Sequence, residues 1–72
     1  MTNTALLEEA IRESGLKKVY LAKKVGLTAA GFYNCCNNRA EFKASQINTL
    51  CDLLGIEDLA RKEAIFFADF GG

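Results

Sequence analysis

The chain has 72 residues, half of them hydrophobic, with nine cations balanced by nine acids and no histidine. That length suits one domain near the lower limit for a core without staples, one that buries only about 60% of its unfolded surface. The longest apolar run, Ala64 to Ala68, falls far short of the ~20 residues a membrane-spanning helix needs. The start also lacks a basic-then-apolar leader, so a cytoplasmic protein that makes no membrane contact is expected.

Proline is absent while Ala, Leu, Lys and Glu are plentiful, a composition that favours helices. In chain order, the first helix is expected from about Thr4 to Ser14. Leu7, Ala10, Ile11 and Ser14 fall on one face, Glu8 and Glu9 near the positive end, and Gly15 closes it. A second helix runs from Lys18 to Val25 and stops at Gly26. Leu27 packs in the turn, and the Thr28 hydroxyl caps a third helix that reaches about Cys36, with Phe32 and Cys35 inward. Gly31 reads as a flaw inside it, costing about 1 kcal/mol relative to alanine. Asn37-Asn38-Arg39 is a turn, after which Phe42 plugs the core.

The fourth helix spans Ala44 to Leu54, with Ser45 a capping candidate, Ile47, Leu50, Cys51 and Leu54 inward, and Gly55 as terminator. Glu57-Asp58 caps a fifth helix reaching about Ala68, with Leu59, Ile65 and Phe66 inward. No segment alternates as a strand does, so the expected fold is all-α: one five-helix domain over residues 1–72, with a helix-turn-helix at about 18–37. In that arrangement the second helix of the pair, here about 28–36, commonly lies in a DNA major groove.

Three cysteines, no C-x-x-C spacing and no histidine argue against a zinc site, and no cofactor or small-molecule ligand is expected. Cys35 and Cys51 read as core thiols. Cys36 is either an exposed, oxidisable thiol or an incidental small residue, the second being favoured.

Charge is distributed unevenly along this neutral chain. Residues 17–43 carry six cations (Lys17, Lys18, Lys23, Lys24, Arg39, Lys43) against Glu41 alone, a net of plus five. Residues 44–72 carry two cations against five acids, and residues 1–16 one against three. The positive part therefore coincides with the helix pair, and a local basic patch matters more for phosphate contact than the total does.

Leu21-Ala22, Val25-Gly26-Leu27-Thr28, Phe32 and Cys35 carry a resemblance to the Cro and repressor DNA-binding domains of temperate phages and to the Xre group of bacterial regulators. The stretches Asn38 to Ile47 and Leu50 to Ile56 extend it. The ending Lys62 to Ala68 is similar to small Cro-like proteins from prophages of Gram-positive bacteria. The resemblance implies a lambda-repressor-like domain that occupies double-stranded operator DNA as a homodimer and regulates transcription, as a repressor does. By position it puts Thr28, Ala29, Ala30, Tyr33, Asn34 and Asn37 toward the bases. Lys18, Asn38, Arg39 and Lys43 go to the phosphates, with Lys18 standing where the family often has a phosphate-contacting glutamine.

The sequence departs from that family at Ala29 and Ala30, which can touch a thymine methyl but cannot form a bidentate base contact. Readout then rests on Thr28, Tyr33, Asn34 and Asn37, with modest discrimination or help from DNA shape. Asn34 suits an adenine edge, whereas Tyr33 is equally suited to a phosphate or sugar contact and to covering the core edge. Of the adjacent pair Phe66 and Phe67, one faces the core; the other, with Phe70, is available for a subunit contact, or else all three phenylalanines cover the core of this small domain. Catalysis is not expected, because no histidine, nucleotide loop or enclosing pocket is foreseen. The rival reading is a protein-interaction module on the same scaffold, of antitoxin or anti-repressor type, using the phenylalanine-rich ending.

Overall fold

The computed structural model describes residues 1–68, over which the chain forms five helices and no strand. These are α1 (Thr4–Ser14), α2 (Lys18–Val25), α3 (Ala29–Cys36), α4 (Ala44–Leu54) and α5 (Leu59–Phe66). Local chemistry sets most of their ends. The Asn3, Thr28 and Asp58 side chains accept from the backbone N–H groups of Leu6, Gly31 and Ala60, so α1, α3 and α5 are each capped by a short polar residue. Ser45 plays no such part. α4 starts after Lys43, whose backbone N–H donates to Gln46 Oε1 at 2.8 Å, and the Ser45 carbonyl accepts from the Thr49 hydroxyl.

Two helices close in the same way. Gly26 and Gly55 adopt left-handed backbones (φ +79° and +71°), which only glycine enters without steric cost. The amides of the following residues, Leu27 and Ile56, then reach back to the Ala22 and Cys51 carbonyls at 2.9 Å. That 6→1 hydrogen bond turns each chain sharply and sends the next apolar side chain inward; Ile56 is buried and Leu27 packs at the core margin.

α2 packs on both α3 and α4, α3 also meets α1, and α5 lies along α1. The shared core holds Leu7, Ile11, Leu21, Phe32, Phe42, Ile47, Leu50, Ile56, Ile65 and Phe66. An aromatic chain crosses it. Phe42 meets Phe32 and Phe66 edge to face, at centroid distances of 5.8 and 5.9 Å.

One open alternative closes and two expectations change. Cys36 is 1% exposed, not a surface thiol, because α3 is wedged between α1 and α2 and buries a wider arc than one neighbour would. Leu59 is 68% exposed, since it sits in the first turn of α5 while burial on that helix is confined to Ile65 and Phe66. Glu8 and Glu9 lie in the second turn of α1, past the residues whose N–H groups make the positive end. No helix among the described residues is long and apolar enough to cross a membrane.

Candidate nucleic-acid interface

α3 divides its side chains cleanly. Phe32, Cys35 and Cys36 are buried, whereas Thr28, Ala29, Ala30, Tyr33, Asn34 and Asn37 are all exposed. The helix therefore presents a continuous outward strip, and it holds every position expected to face bases. Gly31 lies at its edge. A Cβ there would stand 3.2 Å from Thr28 Oγ1, the oxygen accepting the Gly31 amide at 3.0 Å. The glycine thus leaves room beside the cap that starts the helix.

The expected phosphate-contacting residues fall into two groups. Arg39 and Lys43 are exposed, and among the described residues neither has a carboxylate within ion-pair distance; the same holds for Lys17, Lys23 and Lys24. Arg39 is placed by its own backbone, its amide donating to the Asn34 carbonyl at 2.8 Å across the end of α3.

Lys18 and Asn38 are engaged inside the molecule. Lys18 Nζ donates to Glu8 Oε1 at 2.7 Å and lies 5.1 Å from the centroid of the Tyr33 ring. The Glu8 hydrogen bond outweighs desolvation and raises the Lys18 pKa above its usual 10.5. Asn38, at φ +63°, accepts from the Thr2 amide at 2.9 Å and donates to the Thr2 carbonyl at 2.7 Å. Its amide staples the N-terminal residues to the loop after α3, while the Asn3 amide reaches the Ile65 carbonyl on α5. Sequence reading missed both of these links and Glu8 as a partner.

The three cysteines are free and buried. Burial raises all three thiols, Cys36 to about 12, with the Glu8 carboxylate adding to the effect. Among the described residues no group of His, Cys, Asp or Glu could hold a metal ion.

Just past α5 Phe67 is 60% exposed, beside a hollow of about 160 Å³ lined by Met1, Thr2, Glu41, Phe42, Ile47 and Phe66. Phe70, its expected companion, lies outside the described residues. Compared with protein-family models, with curated proteins and with solved structures, the chain matches none.

Proposed function

We propose that this chain is a sequence-specific DNA-binding transcriptional regulator of the lambda-repressor-like type, using α2 and α3 as a helix-turn-helix. The observation that carries the reading is the outward strip of α3, which is followed directly in the chain by the exposed cations Arg39 and Lys43. Such a helix enters a major groove with its side chains toward base edges, while neighbouring cations hold the phosphates. Asn34 carries the one amide whose planar donor–acceptor edge suits adenine from mid-helix; Asn37 and Tyr33 flank it. Arg39 and Lys43 serve as the phosphate anchors, with Lys17, Lys23 and Lys24 adding attraction at longer range. A homodimer would set two such helices about 34–36 Å apart, in successive turns of the groove. It would act by excluding polymerase from the operator, without a cofactor.

Fluorescence anisotropy tests this. The probes are a labelled duplex selected from a randomised pool by the wild-type protein, and the unselected pool. Binding should weaken steeply with salt, and N34A combined with R39A and K43A should abolish it at moderate ionic strength. Salt-independent binding, or an unaffected triple variant, overturns the reading. The exposed Phe67 favours one alternative, a protein-interaction module. That reading requires no DNA retention at low salt together with a partner lost on F67A.

A further inference from the structure

The structure places a cation against the Tyr33 ring on the exposed face of α3. Lys18 opens α2, Glu8 lies in the middle of α1, and Tyr33 is on α3, so three separate helices meet at one ammonium. Its Nζ is 2.7 Å from the Glu8 carboxylate and 5.1 Å from the Tyr33 ring centroid. The Lys18 side chain is 26% exposed, less than the 44% of Glu8, and Tyr33 as a residue is 45% exposed. A lysine whose tip donates to a carboxylate has fewer rotamers open to it, and its contact with the ring biases Tyr33 by a few-fold toward the pose beside the cation. Ala29 and Ala30, one turn before Tyr33, are too small to hold the ring themselves.

Resting on the proposed DNA-binding function, we propose that Lys18 is a positioning residue. Anchored by Glu8, it holds the Tyr33 ring in the pose in which α3 meets a base or sugar edge, so a carboxylate on α1 tunes sequence discrimination. This differs from a phosphate contact, in which Lys18 would leave Glu8 for the DNA backbone. The firm hold of Lys18 on its proton fits the anchored arrangement.

The two roles predict opposite behaviour. For a positioning residue, K18M and E8Q each lower the ratio of affinities for selected and unselected duplex by about two- to fivefold, the range of an exposed cation–π contact. The slope of binding against salt stays unchanged, K18R recovers part of the ratio, and K18M adds nothing in a Y33L background. For a phosphate contact, K18M weakens both duplexes equally and reduces the slope by about 0.9. E8Q then strengthens both by freeing the lysine. Either of those last two results overturns the proposal and leaves the DNA-binding reading standing.

NMR of the free protein separates the remaining case. The Lys18 ε-methylene protons should be shifted upfield by the Tyr33 ring, and E8Q should return them toward their ordinary position. Absence of the shift in wild type overturns the proposal whatever the DNA data show. A wild-type protein that binds neither duplex overturns both the proposal and the function it rests on.

Discussion

Phe42 is the residue on which the loop between α3 and α4, bearing the proposed phosphate anchors, depends. It follows Arg39 by three positions, precedes Lys43, and is 8% exposed in the core between Phe32 of α3 and Phe66 of α5. Replacing it with leucine keeps an apolar side chain there and removes both edge-to-face contacts. At about 0.5–1.5 kcal/mol per aromatic pair beyond area burial, the loss is about 1–3 kcal/mol. A domain of this size commonly holds about 4–11 kcal/mol in all, so F42L should stay folded but visibly weakened. Urea and thermal unfolding followed by far-UV circular dichroism measure it. The midpoint should fall by at least about 4 °C, since each kcal/mol moves it by about 4–8 °C in small domains. F67L is the matched control, because Phe67 is 60% exposed and should change stability by less than about 0.5 kcal/mol. If F42L and F67L unfold alike, the aromatic chain does not hold the loop and the reasoning fails.

R39A and K43A should each reduce the log–log salt slope of DNA binding by about 0.9 while leaving the preference between duplexes intact; a changed preference would make either residue a base reader. Burial pushes the Cys36 thiol up to about 12 from 9.0, so the unfolded chain gives up that proton first. The part of the stability that rests on the Cys36 proton is therefore whole below pH 9 and is lost between pH 9 and about 12, and C36A should flatten that decline in urea melts taken across the range. The three buried thiols should resist a thiol reagent under native conditions and react on unfolding; rapid native reaction at Cys36 would contradict its burial. N38A removes two hydrogen bonds to Thr2 and leaves alanine at φ +63°, at a cost of about 1–3 kcal/mol in chemical melts. N38G relieves only the backbone part.

Helix ends were legible because their causes lie within a few residues. Gly26-Leu27-Thr28 contains a left-handed closure, an inward apolar residue and a cap in sequence, and all three occur as read. The inward faces of α1 and α4 were legible for the same reason, since period 3.6 marks one side of a helix against a single broad core. Periodicity does not say how far a neighbouring helix extends, which is why Leu59 read as inward, nor whether a helix has one neighbour or two, which decides Cys36. The pairs Glu8–Lys18 and Thr2–Asn38 are 10 and 36 residues apart, on elements brought together only by folding. No local pattern in the chain encodes either pair. On the candidate interface, exposure of the α3 strip followed from the helical face alone, whereas the occupied state of Lys18 and Asn38 did not.

That difference bears on how much a domain of this kind can read. A donor or acceptor site filled within the fold is not offered to the DNA, and several polar groups near α3 have such sites filled. The Thr28 oxygen accepts the Gly31 amide, the Asn38 amide is used by Thr2, and the Lys18 ammonium is held by Glu8. Ala29 and Ala30 offer methyl groups only. On the proposed reading, Asn34, Asn37, the Tyr33 hydroxyl and the donor proton of Thr28 are left for base edges, and each bidentate pair discriminates by about 1–3 kcal/mol. Asn34 and Asn37 supply at most two such pairs per subunit. A monomer limited in that way separates its site from other sequences only modestly. Two subunits on a symmetric site double the discriminating free energy, which multiplies rather than adds the ratios. The few uncommitted groups on α3 are thus the physical reason to expect that strong discrimination requires two copies of the chain on one operator.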